Sequence, residues 1–277
     1  MSVKLPSGGD NLPGTARLDR PTIAPAALGW PLPPPEVRLA NRQADLWCAT
    51  MPSFAEPISL LSALLSAEER QRAERFHFSV DRDRYIVRRG ILRILLSRYL
   101  NTQPAEIEFR YGRWGKPEMK GNALDLHFND SHSGDLALYA VTAAGPIGAD
   151  IEQVRPIPEF EDLASRYFSP RESALIRALV PERRMEAFYS VWTRKEAFLK
   201  ATGEGIGRNL AEIEVSPDPG QEPAILRVPG STPGPGGWKL RSFSPAAGYL
   251  GAVAFQGDIS SFREFVVPVS FISHFAR

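Results

Sequence analysis

The spacing of apolar and polar positions divides this chain into elements before any chemistry is considered. Gln43–Met51 is predicted as a first strand. Ser66-Ala-Glu-Glu69 has the form of a capping box, which opens a helix running to about Arg75. A longer helix is predicted from about Asp81 to Leu100, with Ile86, Ile91, Leu95 and Tyr99 on its buried stripe. Leu136–Thr142 alternates as a strand. After Pro146 a further strand, Gly148-Ala-Asp-Ile-Glu152, has Asp150 and Glu152 on one face and Ile151 on the other. Ser169-Pro-Arg-Glu172 combines an N-cap serine, a proline at the first helical position and a glutamate two residues on, and so starts another helix. Val191–Gly205 reads as one helix, with Gly203 where a C-terminus favours positive φ.

Two segments lack such periodicity. Met1–Pro35 holds eight prolines and little apolar pattern, so residues 1–36 are expected to be a disordered extension ending in a short polyproline stretch. Arg110–Glu118, RYGRWGKPE, is a turn-rich segment by its Gly112, Gly115 and Pro117. Phe128–Asp135, FNDSHSGD, is read as a loop that enters the strand at Leu136, with His132 placed between two serines.

Composition narrows the class. A chain of 277 residues, 43% hydrophobic and 23% charged, is that of a soluble globular protein. No apolar run approaches the roughly 20 residues of a membrane span, and Met1–Asp10 has no apolar core of a secretory signal. The single cysteine, Cys48, favours a reducing compartment, so a cytoplasmic location is expected. A formal net charge of +1 argues against a protein that coats nucleic acid.

The candidate chemistry lies in three places. Trp192, Glu196 and Lys200 form a single file on their helix, because positions four apart lie one above the other. The same spacing also makes an ordinary Glu196–Lys200 salt bridge. Asp150 and Glu152 repel each other on one strand face, and a cation would relieve that. Oxygen ligands with room for phosphate and water suit Mg²⁺, and Glu196 would complete the set. Between Ser66 and Arg98 nine arginines stand against five acids. Most read as a solvated helical face, while two or three on one side could hold a phosphate.

Four of these segments together resemble the larger single-chain type of 4′-phosphopantetheinyl transferase. They are Gly115-Lys-Pro117, Phe128-Asn-Asp-Ser-His-Ser133, Gly148-Ala-Asp-Ile-Glu152, and Trp192 through Lys195-Glu-Ala197 to Lys200 and Gly203. The resemblance implies an α+β fold of two similar halves, 37–145 and 146–277, related by pseudo-twofold symmetry with a ligand cleft between them. It implies Mg²⁺ held by Asp150, Glu152 and Glu196, with coenzyme A as co-substrate. Asp150, Glu196 and Lys200 would be catalytic: Lys200 at the phosphate nearest the leaving group, Glu196 a plausible general base. Arg72, Arg84 and His132 match residues that hold the 3′-phosphate. Tyr111 to Lys116 with Pro117, Gly115 among them, would line the adenine site, and Asn129 and Ser131 would complete the coenzyme A contacts.

An apo acyl or peptidyl carrier protein is the implied partner, and a monomer without nucleic-acid or membrane partners is expected. The linking region around Phe160, Tyr167 and Phe168 would either dock the carrier or pack under the Ser169 helix. Asp130 stands where the family usually has an apolar residue, and Glu69 where some relatives are basic. Two alternatives are another Mg²⁺-dependent phosphoryl-transfer enzyme such as a nuclease, built on the same three carboxylates, and a non-catalytic coenzyme A or carrier-protein binding module. Loss of an acidic ligand would favour the module, whereas all three are present here.

Overall fold

The computed structural model describes residues 27–121, 124–204, 210–229 and 236–273. In chain order the regular elements begin with β1 (Gln43–Thr50), α1 (Ile58–Ala63), α2 (Ala67–Glu74) and α3 (Ser79–Leu100). There follow β2 (Phe109–Tyr111), β3 (Pro117–Met119), β4 (His127–Ser133), β5 (Leu136–Thr142) and β6 (Ile147–Gln153). Then come α4 (Phe160–Tyr167), α5 (Pro170–Ala178), α6 (Pro181–Thr202), β7 (Glu214–Val215) and β8 (Ile225–Arg227). β9 (Trp238–Phe243), β10 (Tyr249–Gln256), β11 (Ser261–Val266) and α7 (Ser270–Ser273) close the series.

The strands form two main sheets, one ordered β11-β1-β5-β4 and the other β6-β10-β9. Period-2 alternation decides what each sheet faces. Trp47, Ala49, Ala137, Tyr139 and Val141 point outward to α3, with Ile91, Leu95 and Phe265 in the same apolar cluster. The intervening Leu46, Cys48, Leu136 and Leu138 point the other way. There they meet Ile147, Ala149, Ile151, Val253 and Phe255 of the second sheet. Ala252 and Ala254 face α6 with Phe188, Trp192 and Phe198. The result is helix, sheet, sheet, helix, with the two sheets back to back. This is a mixed helix-and-sheet fold, and among the described residues no helix is long and apolar enough to cross a membrane.

The two long helices are built alike. Each has 22 residues, and each follows a short helix opened by a capping box, at Ser66/Glu69 and at Ser169/Glu172. Both N3 glutamates are buried and paired with a cation of the long helix. Glu69 receives Arg89 Nε at 2.5 Å and Arg93 Nε at 2.7 Å. Glu172 receives Lys195 Nζ at 2.5 Å and the Val215 N–H at 2.8 Å. A left-handed residue ends each helix, Asn101 in one and Gly203 in the other.

Three expectations are revised. The FNDSHS segment is the strand β4, joined to β5 by a two-residue hairpin at Gly134 and Asp135, and not a loop. The helix expected from Val191 starts ten residues earlier, at Pro181, and ends at Thr202 with Gly203 as the left-handed cap expected of it. Within the Pro-rich extension, Leu28 and Trp30 are buried between the sheets. Trp30 lies 5.6 Å from the Phe243 ring, and Pro31 O accepts the Val266 N–H at 2.9 Å. The reading of residues 1–26 as disordered lies outside the described residues.

Candidate active site

β4 and β6 are the edge strands of their sheets, and they meet side by side. No backbone ladder joins them in the sheet registers; side chains of β4 bridge the gap. Asn129 Oδ1 accepts the Ala149 N–H at 2.8 Å. Ser131 Oγ donates to Asp150 Oδ1 at 2.9 Å, and Ser133 Oγ donates to Glu152 Oε2 at 2.6 Å. These odd-numbered residues of β4 therefore grip the acidic strand in register. Across it lies α6, pressed close because residue 148 is glycine: a Cβ there would overlap Ala197 O and Ala201 N. That approach brings Lys200 Nζ to 2.6 Å from Asp150 Oδ1 and 2.8 Å from Ser131 Oγ.

Burial sets the charge balance here. It raises the Asp150 carboxyl above its ordinary value, although Lys200 and Ser131 pull the other way. Glu152 is pushed up to about 8, by burial first and then by the charges of Asp150 and Glu196. Burial works against the Lys200 ammonium, yet Asp150 and Glu196 hold it above its usual value. Glu196 is 3% exposed on the same side of α6. Trp192, one turn back in the same file, is turned into the aromatic core against Phe188 and Phe168.

The acids suit a hard divalent cation in their chemistry. Asp150 Oδ2 is buried with no hydrogen-bond partner, and crowded carboxylates lose their mutual repulsion when a cation joins them. Among the described residues, no three His, Cys, Asp or Glu side chains stand ready at metal-ligand spacing. The Lys200 ammonium takes the place of a counter-ion on Asp150.

The even-numbered face of β4 looks toward α3. His132 Nδ1 contacts Arg88 Nη1, and Arg88 lies 4.0 Å from Asp130. Asp130, in place of an apolar residue, thus has an ionic partner. Arg84 reaches Asp135 at 3.2 Å. Arg72 lies over the Tyr85 ring, in a pocket of about 680 Å³ that it shares with Tyr111, Arg75 and Phe76. The structure brings Arg72 and Tyr111 to one pocket, and directs Arg84 and His132 to partners at the β4–β5 end. Arg89 Nη2 donates to Tyr111 Oη at 2.6 Å and so fixes that ring. Glu68 and Glu69 also line this pocket, and Glu69 is neutralised there by its two arginines, Arg89 and Arg93.

Gly115 shapes the β2–β3 turn at φ 83°, and Pro117 pairs with Tyr111. Lys116 Nζ donates to Ala201 O at 2.9 Å, at the end of α6, and burial pushes it down to about 8. Phe168 packs in the core, and Phe160 and Tyr167 pack against it. Arg88, Arg89 and Ser133 escaped the sequence reading. The four-residue step from Arg84 to Arg88 was the available signal for the first of them.

Two family models match successive parts of the chain. The family model of the 4′-phosphopantetheinyl transferase superfamily matches residues 146–254. A second, for the N-terminal part of 4′-phosphopantetheinyl transferases, matches residues 47–145. The 4′-phosphopantetheinyl transferase HetI of Nostoc sp. is 39% identical over 230 residues, covering 82% of this chain and 94% of that protein. A 4′-phosphopantetheinyl transferase of Bacillus subtilis is 34% identical over 179 residues, covering 61% of this chain and 78% of that protein. The chain belongs to the 4′-phosphopantetheinyl transferase superfamily.

Proposed function

We propose that this protein moves the 4′-phosphopantetheine group of coenzyme A to a serine hydroxyl of an apo carrier protein and releases 3′,5′-adenosine diphosphate. The observation that carries it is the buried Asp150–Lys200–Ser131 contact, with Glu152 and Glu196 beside it, in a chain matched along both halves by the family. In the reaction the serine oxygen bonds to the β-phosphorus, and the bond from that phosphorus to the bridging oxygen breaks. Glu196 takes the serine proton. Lys200, already cationic, stabilises the charge gained by the departing phosphate. Asp150, Glu152 and Glu196 would hold Mg²⁺, which supplies Lewis acidity at the pyrophosphate when bound. Arg72 and Tyr111 take the nucleotide end in their shared pocket, and Arg84 of α3 and His132 of β4 are read as further contacts to the 3′-phosphate.

The two halves, 37–145 and 146–277, are read as pseudo-twofold relatives. The matched pair of capping-box helices, buried glutamates and 22-residue helices supports that reading. The test is direct: incubate the protein with coenzyme A, Mg²⁺ and an apo acyl carrier protein, then measure intact carrier mass. The expected result is a carrier heavier by one phosphopantetheine. Unmodified mass across fatty-acid, polyketide and peptide carriers would overturn the assignment.

A further inference from the structure

The roles above account for Asn129, Ser131 and His132 of β4 and leave Ser133 without one. Its hydroxyl has a single proton. The Gln153 N–H donates to Ser133 Oγ at 3.1 Å and occupies a lone pair. The proton therefore goes to Glu152 Oε2, only 2.6 Å away. This end of the hairpin is itself anchored: the Asp135 N–H donates to Tyr249 Oη at 3.2 Å. A Cβ on Gly134 would run into the Gln153 and Tyr249 side chains at 2.5 Å, so the turn sits flush on the second sheet. Ser133 is thus held from behind and holds Glu152 in front. The arrangement repeats one step along the strand, where Ser131 takes Asp150 Oδ1 and leaves Oδ2 buried without a hydrogen-bond partner.

We infer that Ser133 is a positioning residue: it fixes the rotamer of Glu152 so that this carboxylate meets a divalent cation alongside Asp150. This rests on the proposed reading of Asp150 and Glu152 as cation ligands. The physical reason is that an unrestrained glutamate has three side-chain torsions to order on binding, whereas one oxygen already held leaves the other preset. Hydrogen-bond partners of ligating carboxylates commonly contribute about ten- to a hundredfold in metal affinity.

The experiment uses Mn²⁺ as probe on the full-length protein with coenzyme A present and no carrier. Free Mn²⁺ is read by electron paramagnetic resonance for wild type, Ser133→Ala, Ser133→Cys, Ser133→Thr and Asp150→Asn. In parallel, the Mg²⁺ concentration giving half-maximal transfer and the KM for coenzyme A at saturating Mg²⁺ are measured. Ser133→Ala and Ser133→Cys are expected to weaken Mn²⁺ about tenfold, with the half-maximal Mg²⁺ moving equally and the KM for coenzyme A unchanged. Ser133→Thr, which keeps the hydroxyl, is expected to bind as wild type does. Wild-type Mn²⁺ binding in Ser133→Ala and Ser133→Cys would overturn the inference while leaving the cation site standing. So would Ser133→Thr binding as weakly as Ser133→Ala. Undiminished Mn²⁺ binding in Asp150→Asn would instead remove the cation site, and the role of Ser133 with it.

Discussion

At the scale of single residues, the carboxylates of β6 and α6 differ in what their loss should do. Glu196→Gln removes one negative charge from a crowded acidic site, so transfer should fall by at least about two orders of magnitude while the melting temperature holds. Asp150 is the ionic partner of the half-buried Lys200. Asp150→Ala is therefore expected to lower both transfer and melting temperature, since that ammonium loses the carboxylate it is bonded to. Turnover by carrier mass and a thermal melt on each variant check the pair, and near wild-type turnover in Glu196→Gln would sink the assignment. Arg72 tests the nucleotide end. Arg72→Ala should raise the KM for coenzyme A by about ten- to a hundredfold, the worth of a charge-assisted bond to phosphate of about 1.5–3 kcal/mol. It should change the KM for dephospho-coenzyme A far less, because a missing partner cannot be lost twice. Equal losses on both donors would place the 3′-phosphate elsewhere.

At the scale of elements, Glu69 shows how a residue out of keeping with a phosphate site can be structural. Burial disfavours its charge, yet Arg93, Arg89 and the Ser66 N–H together hold its carboxyl below the ordinary glutamate value of 4.5. Glu69→Gln leaves two buried guanidinium groups short of a countercharge and should cost about 3–5 kcal/mol. A carboxylate with a depressed folded pKa contributes stability only while ionised. The deficit should therefore be full above pH 4.5 and shrink as pH falls through the lowered value. Denaturant melts of both proteins across that range measure it; a deficit independent of pH would contradict the ion-pair account. The capping boxes themselves were legible, because Ser-x-x-Glu is a local signal. So was β6, whose Ile151 alternates against Asp150 and Glu152. β4 was not, because neither of its faces is apolar beyond Phe128: one meets Arg88 and the other meets acids. The start of α6, Pro181–Glu186, hid in the same way behind a charged, proline-led sequence.

At the scale of the whole molecule, what stayed hidden was pairing between distant parts of the chain. β11 runs parallel to β1, with Cys48 opposite Val266, and no local pattern reports such a partner. The same holds for Leu28 and Trp30, isolated apolar residues among prolines that find the gap between the sheets. A chain lacking residues 1–26 serves as the reference for a truncation into the described segment. Deleting residues 1–34 should cost about 3–5 kcal/mol, the burial of one leucine and one tryptophan. Equal melting temperatures for the two truncations would show that the strap contributes nothing to the core. The two-faced strand at the centre has a consequence of its own. Because His132 serves one side of β4 and Ser131 and Ser133 the other, the strand works like a reading frame. A point change spoils one side. One inserted residue after Phe128 would rotate every later side chain to the opposite face, so that the serines met α3 and the histidine met the acids, and nucleotide grip and acid alignment would fail in a single event.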